Sequence, residues 1–219
     1  MIKGIIFDFD GLIVDTETAW YEAYKETLFT NHAVDLDLAN YSQRIGTGSD
    51  VLFQYFHELV GTPVDFDLIE NAAYEKFLIH MKEPVLRDGV REYLEEAKQN
   101  NLVIGLASSS SRDWVKGYLE QLEIIDYFDV INTRDDVSRV KPDPELYLKT
   151  LKECNLLPSE TIVFEDSFNG LTAAKHAGIK CVIVPNNVTR NSVFEHHDYR
   201  LNSMSEEPLR DIIKKLHAV

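Results

Sequence analysis

The chain has 219 residues, 44% of them hydrophobic, which is enough for one substantial core or for a core with a small inserted domain. Its 22 basic and 37 acidic residues give a formal net charge of −15, which opposes binding to nucleic acid or anionic membranes. There is no recognisable signal peptide, and no apolar run approaches the roughly 20 residues of a membrane span. The composition therefore predicts a soluble, cytoplasmic protein, as a monomer or a weak homo-oligomer.

The first predicted element is a strand that ends in two carboxylates. Residues 2–7 form an apolar run, and Asp8 and Asp10 follow it, just before Gly11. Side chains two residues apart on an extended chain share a face and lie roughly 6.5 to 7 Å apart, which leaves room for a tetrahedral group between them. Because unpaired carboxylates are costly to bury, the pair indicates a bound cation or catalysis, with simple turn capping as the alternative.

The next part of the chain contains helical patterns alone. Trp20 and Tyr24 lie on one apolar face, where they are expected to form the core of a helical unit rather than to contact a substrate. Because this stretch follows the carboxylate pair directly, hinges at its two ends would place it over that pair as a lid. The sequence thus predicts two domains: a helical cap of residues 16–83, and a core of residues 1–15 and 84–219.

Strands and helices alternate in the rest of the chain. Short apolar runs predict strands at residues 102–107, 130–131, 161–164 and 181–184. This alternation indicates an α/β, Rossmann-like core, in which a parallel sheet is covered by helices on both faces. Ligands of such sheets bind beyond the carboxyl ends of the strands, which is where Asp8 and Asp10 are expected.

A cluster of hydroxyl groups follows the second predicted strand. Four serines, from Ser108 to Ser111, stand where a helix is expected to begin. Taken alone they are best explained as helix caps, with Ser110 or Ser111 in that position. The same hydroxyl and N–H groups suit the binding of phosphoryl oxygens, for which Ser108 and Ser109 are the candidates.

A lysine and two more acids complete the polar strand ends. Lys141 precedes Pro142, which stiffens the turn, so its ammonium is either solvated or aimed at the carboxylates. Glu165 and Asp166 follow the strand at residues 161–164. Four acids at one sheet edge would repel each other strongly without a divalent cation. Ligands that are all oxygen favour Mg²⁺ over zinc at such a site.

Together, four segments of this chain resemble the haloacid dehalogenase superfamily of phosphotransferases, in the branch that contains β-phosphoglucomutase and the phosphoglycolate-type phosphatases. They are FDFDGLIVDTE, LASSSS, VKPDPELY and VFEDSFNG. The segments have the family's order and spacing, and the resemblance covers the whole chain, including the helical cap after the first motif.

The resemblance implies a role for each matching residue. Asp8 would be the nucleophile that forms an aspartyl-phosphate, and Asp10 the general acid and then the base that activates water. Ser108 would bind the phosphoryl group, and Lys141 would bridge Asp8 and the phosphate. Mg²⁺ would be held by the Asp8 carboxylate, the Asp10 backbone carbonyl and Asp166, with Glu165 either a further ligand or a neighbour of the ligands.

Two departures from the family narrow the expected activity. Carbon–halogen cleavage is disfavoured because the acid at Asp10 is absent from the dehalogenases. A phosphosugar mutase is the alternative, but Trp20 stands where a His is expected and no Arg follows Gly46 in the cap loop. We therefore expect a phosphatase of small phosphate monoesters, such as sugar phosphates or phosphoglycolate-like acids, with Gly46 and Ser49 facing the substrate. A binding protein without turnover is disfavoured, because none of the catalytic residue types is missing.

Overall fold

The structure, a computed structural model, describes residues 1–44 and 49–217, without the side chains of residues 49 and 50. Gly46 and the side chain of Ser49, both predicted to face the substrate, lie outside this description. The chain divides into two compact units. The first contains Met1–Asp15, Val85–Asn186 and Val193–Val219, and the second contains Thr16–Pro84 and Asn187–Ser192. None of the described helices is both long and apolar enough to cross a membrane.

The first unit contains a parallel sheet. Its strands are β1 (Gly4–Phe7), β2 (Val103–Ala107), β3 (Val130–Asn132), β4 (Thr161–Glu165), β5 (Lys180–Ile183) and β6 (Tyr199–Arg200). They lie side by side in the order β3-β2-β1-β4-β5-β6, all parallel. All four residues of β1 are buried, as expected for a central strand that is covered on both faces. The predicted α/β fold is confirmed.

The second unit contains four described helices. They are α1 (Thr16–His32), α2 (Leu38–Ser42), α3 (Ser49–Val60) and α4 (Phe66–His80). Helices α1 and α4 pack against each other. At their contact, the ring of Trp20 stacks on that of Phe77, with 4.4 Å between the centroids. The aromatic face predicted from helical spacing therefore contributes to the core of this unit.

Five further helices belong to the first unit. They are α5 (Val90–Gln99), α6 (Arg112–Gln121), α7 (Glu145–Glu153), α8 (Phe168–His176) and α9 (Leu209–His217). In α5 the buried side chains are Val90, Tyr93, Leu94 and Ala97, which is the helical spacing that the sequence shows. At the start of α8, Ser167 Oγ accepts a hydrogen bond from the Gly170 amide at 3.1 Å and so caps this helix.

The register of the sheet determines which residues meet at its carboxyl edge. Phe7 pairs with Leu106 of β2 and with Phe164 of β4. Asp8, the next residue, therefore lies level with Glu165, and its amide donates to the Phe164 carbonyl at 3.1 Å. Because all strands run in one direction, the residues that follow them collect at this single edge.

Candidate active site

Three buried charged side chains form the centre of the site. Lys141 Nζ donates a hydrogen bond to Asp8 Oδ1 and another, of 2.7 Å, to Glu165 Oε1. The Lys141 side chain is only 4% exposed, and that of Glu165 is fully buried. The turn before α7 thus delivers a cation to the ends of β1 and β4. The prediction that Lys141 is aimed at the carboxylates, rather than solvated, agrees with this geometry.

Glu165 accepts hydrogen bonds on both of its oxygens. Besides Lys141, the hydroxyl of Tyr147 donates to Oε1 at 2.6 Å. The Asp166 amide and the Ser167 hydroxyl donate to Oε2, each at 3.1 Å. The Tyr147 ring also lies 4.9 Å from Lys141 Nζ, which favours the ammonium further. Glu165 therefore joins the lysine to the start of α8.

Asp166 is oriented by a side chain from beyond β5. The amide of Asn186 donates to Asp166 Oδ2 at 2.7 Å, and it lies 3.4 Å from the Gly11 carbonyl. Sequence reasoning did not single out Asn186. It follows the end of β5 by three residues, however, and residues beyond the carboxyl ends of parallel strands are expected at this edge. The guanidinium of Arg87, also missed, donates to the carbonyls of Gly11, Val184 and Pro185.

The acids at this edge are close enough to share a cation. Ligand oxygens of Asp8, Glu165 and Asp166 all lie within 4.8 Å of one another. A donor set made of carboxylate oxygens suits a hard divalent cation such as Mg²⁺. Three of the four acids predicted to meet at this edge thus form a close group, whereas the fourth, Asp10, is not a member of it.

The electrostatics of the cluster also favour a cation. Burial, followed by repulsion from Glu165, raises the pKa of Asp8 to about 8, although Lys141 acts in the opposite direction. Burial acts to lower the pKa of Lys141, but the neighbouring Asp8 and Glu165 carboxylates outweigh it and raise that pKa. One buried ammonium therefore does not fully compensate the acids.

Asp10 is held by groups from the second strand end and the helix after it. Ser110 Oγ donates to Asp10 Oδ2 at 2.6 Å, and Trp114 Nε1 donates to Oδ1 at 2.9 Å. Ser108 Oγ lies 3.5 Å from Oδ2. The contact from Trp114 was not predicted, because the residue was counted in no helical face or motif.

Of the two remaining serines, Ser111 lies at a capping position and Ser109 does not. Ser111 is in the N-cap position of α6, but its side chain makes no capping hydrogen bond. Ser109 Oγ is buried and has no hydrogen-bond partner among the residues that the structure describes. Such a hydroxyl is costly unless a ligand or water satisfies it. Capping therefore does not explain Ser109, and its binding of phosphate stays a prediction from the sequence.

Two helical glycines allow a matched test of the packing around Glu165. A Cβ at Gly170 would lie 1.7 Å from Glu165 Oε1, whereas a Cβ at Gly117 of α6 would meet no atom within 4 Å. We expect Gly170→Ala to lower the free energy of unfolding in urea by about 1–3 kcal/mol, because the carboxylate must move. Gly117→Ala should raise it by up to about 1 kcal/mol through helix propensity. Equal effects of the two changes would contradict this placement of Glu165.

Comparison with known proteins identifies the family of this chain and agrees with its fold. The family model of the haloacid dehalogenase-like hydrolases matches residues 5–184. A Bacillus subtilis protein named "Putative phosphatase YhcW" is 46% identical over 219 residues, which cover 100% of this chain and 99% of the relative. A "Phosphorylated carbohydrates phosphatase" of Thermotoga maritima is 33% identical over 188 residues, 82% of this chain and 83% of the relative.

A solved structure extends the comparison to three dimensions. The crystal structure of CbbY from Rhodobacter sphaeroides in complex with phosphate aligns with a TM-score of 0.72 and 32% identity. The alignment covers 94% of this chain and 96% of that chain. The chain therefore belongs to the haloacid dehalogenase-like hydrolase family, and its predicted enzyme class, a phosphoric monoester hydrolase, is confirmed.

Proposed function

We propose that this protein is a Mg²⁺-dependent phosphatase that hydrolyses a small phosphorylated sugar or a phosphoglycolate-like acid through an aspartyl-phosphate on Asp8. The observation that carries the proposal is the buried Lys141, which donates to Asp8 inside an acidic cluster at the carboxyl edge of the sheet. A nucleophilic carboxylate beside a fixed ammonium suits phosphoryl transfer, which needs in-line positioning and charge neutralisation more than covalent assistance.

Each predicted catalytic residue has a step in this reaction. Asp8 would attack phosphorus, while Asp10 would give a proton to the leaving oxygen and later take one from the attacking water. Lys141 would keep the Asp8 carboxylate in place and attract the phosphoryl oxygens. The hydroxyls of Ser108 and Ser109 would bind those oxygens, which is supported by the unsatisfied hydroxyl of Ser109.

Mg²⁺ fits the donor set at the sheet edge. The carboxylates of Asp8 and Asp166 and the backbone carbonyl of Asp10 would hold it, with Glu165 as a further ligand or as a support for them. The proximity of three carboxylates and the raised pKa of Asp8 support a cation at this place. When bound, Mg²⁺ would neutralise part of the charge on the phosphoryl oxygens and favour the ionised form of Asp8.

The nature of the substrate is supported by the names of the relatives. One of them is named for phosphorylated carbohydrates, and the aligned CbbY crystal structure contains phosphate. We propose that residues 16–83 act as the cap domain that selects the ester. The roles of Gly46 and Ser49 in that selection, the cytoplasmic location and the oligomeric state stay predictions from the sequence.

Phosphate release from a panel of esters tests the function. The panel contains hexitol, hexose and pentose phosphates, phosphoglycolate, and 4-nitrophenyl phosphate as a generic ester. We expect at least one metabolite to be hydrolysed with a kcat/KM above about 10⁴ M⁻¹s⁻¹, within the usual range for enzymes. Activity should disappear in EDTA and return when Mg²⁺ is added.

Three outcomes would contradict parts of this proposal. Conversion of a hexose 1-phosphate to the 6-phosphate faster than phosphate is released would assign the mutase activity instead. Folded, Mg²⁺-saturated protein that hydrolyses no ester of the panel would argue for a binding protein that lacks turnover. Activity that persists without a divalent cation would contradict only one part of the proposal, the role of Mg²⁺.

A further inference from the structure

The carboxylate of Asp10 is held by a different donor on each oxygen. Ser110 Oγ donates to Oδ2 at 2.6 Å, and Trp114 Nε1 donates to Oδ1 at 2.9 Å. Asp10 itself is only partly buried. A carboxylate on a flexible loop would otherwise sample several rotamers, whereas two donors on opposite oxygens fix both its position and the direction of its plane.

The position of Trp114 explains how an indole reaches this carboxylate. Trp114 is the third residue of α6, whose N-cap is Ser111. Side chains of a helix point back toward its N-terminus, which here means toward the loop after β1. One turn later Tyr118 packs edge-on against the indole, with centroids 5.0 Å apart, and Tyr118 also contacts Phe9 at 6.2 Å. The indole is therefore supported by aromatic packing on the side of α6.

The two donors differ in chemistry. A serine hydroxyl can rotate and can either donate or accept, whereas an indole N–H can only donate. The contact from Trp114 is thus a rigid anchor for Oδ1 that does not itself take part in proton transfer. Ser110 is the adaptable partner, on the other oxygen.

We propose that Trp114 is a positioning residue, which holds Asp10 in the orientation that proton delivery to the leaving oxygen requires. This rests on the proposed function, in which the Asp8 oxygen bonds to phosphorus while the ester P–O bond breaks. The electron pair of the broken bond stays on the departing oxygen, which takes the proton of Asp10. Water then bonds to phosphorus and gives one of its protons to Asp10, while the Asp8 O–P bond breaks and its electron pair returns to the Asp8 carboxylate.

The proposal gives Trp114 a distinct effect on different esters. An alkoxide is a poor leaving group, so hydrolysis of a sugar phosphate depends on a well-placed acid. A 4-nitrophenolate leaves readily without a proton. Because kcat/KM covers the steps up to the first departure, the loss of orientation should appear in kcat/KM for a sugar ester and hardly at all for the aryl ester.

The kinetic test compares Trp114→Phe with the unchanged protein on glucose 6-phosphate and 4-nitrophenyl phosphate. We expect kcat/KM to fall about tenfold or more for the sugar ester, carried mainly by kcat, and less than about twofold for the aryl ester. Val115→Ala is the matched control, because it removes buried packing from the same helix at a side chain that has no hydrogen-bond donor for Asp10. It should leave the ratio of the two kcat/KM values unchanged.

A double variant separates an effect through Asp10 from a general disturbance. In the Asp10→Ala background, adding Trp114→Phe should cause no further loss on either ester. Equal losses on both esters from Trp114→Phe, or a full additional loss in the double variant, would overturn the positioning role. The proposed function would survive both results, since the unchanged protein would still release phosphate.

A spectroscopic measurement tests the contact independently of turnover. The chain has two tryptophans, Trp20 and Trp114, so its indole N–H region should contain two signals. In ¹H–¹⁵N spectra we expect Asp10→Ala to shift the Trp114 indole signal and to speed its hydrogen exchange, while the Trp20 signal stays in place. An unchanged Trp114 signal would contradict the contact. If the unchanged protein hydrolyses no ester of the whole panel, the proposed function fails and this role fails with it.

Discussion

Replacing Asp8 with asparagine is expected to lower phosphate release by at least about 10⁴-fold, the scale on which loss of a nucleophile acts in other enzymes. The amide oxygen of asparagine is a poor nucleophile, and without the Asp8 carboxylate no aspartyl-phosphate forms. The measurement is phosphate release from the best ester of the panel, in saturating Mg²⁺. Asp67→Asn, the same chemical change at an exposed carboxyl of α4, is the control and should retain full activity. Comparable rates in Asp8→Asn and the unchanged protein would eliminate Asp8 as the nucleophile.

The same substitution should stabilise the metal-free protein. It removes one acid from an under-compensated cluster, and Lys141 keeps its hydrogen bond to Glu165 at 2.7 Å. The pKa of Asp8 is raised in the folded state to about 8, from 3.8. Between these values the folded protein binds more protons than the unfolded chain, so the contribution of Asp8 to stability falls as the pH rises from about 4 to 8.

The stability gap between the two proteins should therefore widen with pH. In EDTA, we expect Asp8→Asn to be the more stable protein at pH 8 by about 1 kcal/mol or more in urea unfolding, and the gap to shrink toward pH 5. Taking the difference between the proteins cancels the titrating groups that do not interact with Asp8. A gap that is constant with pH, or an asparagine variant that is less stable at pH 8, would show that burial does not disfavour the Asp8 charge.

Replacing Lys141 with methionine is expected to damage both stability and activity. The change keeps an unbranched apolar stem but leaves two buried acids, Asp8 and Glu165, without their ammonium. Loss of one partner from a buried ion pair typically costs about 3–5 kcal/mol, and partial protonation of Asp8 places the expected loss near the lower end. For a chain of this length that corresponds to a melting temperature lower by roughly 6–12 °C.

The turnover of Lys141→Met should also fall, by about 10²–10³-fold, because a fixed charge at the phosphoryl site is lost. The control is Lys149→Met, at a partly exposed lysine of α7 that pairs with Glu153 at 2.9 Å. Its melting temperature and activity should match those of the unchanged protein, since exposed pairs contribute little. Thermal melting and phosphate release measure both effects. If the two methionine variants behave alike, Lys141 does not hold the cluster together.

Some features of this protein could be read from short segments of sequence. The central strands were predicted because each is an apolar run bounded by polar residues, and Asp8, Glu165 and Asp166 were found because acids at strand ends are unusual. Parallel strands deliver their carboxyl ends to one edge, so locating the strands was enough to group these residues. The edge strand β6, Tyr199–Arg200, was missed because two residues carry no periodicity.

Other features depend on how separate elements pack. The indole of Trp114 meets Asp10 across 104 positions of sequence, and the amide of Asn186 meets Asp166 across 20. The position of Asn186 beyond the end of β5 could have placed it near Asp166, but nothing in the neighbourhood of Trp114 indicates its partner. The association of Asn187–Ser192 with the helical residues Thr16–Pro84 is also invisible in the sequence, because it joins segments that are far apart in the chain.

The sequence by itself determined the parallel α/β fold, the acids and lysine of the site and the family, because period, strand-end chemistry and motif spacing are local properties of the chain. Tertiary structure decided which side chains donate hydrogen bonds to the acids of the site. The packing of α6 and α7 against the sheet gives Asp10 its indole donor and Glu165 its tyrosine donor. The loop after β5 gives Asp166 its amide donor. A hydrogen bond is weakened when its donor and acceptor shift by a few tenths of an ångström or lose their alignment. Only the assembled core holds these groups in place so closely.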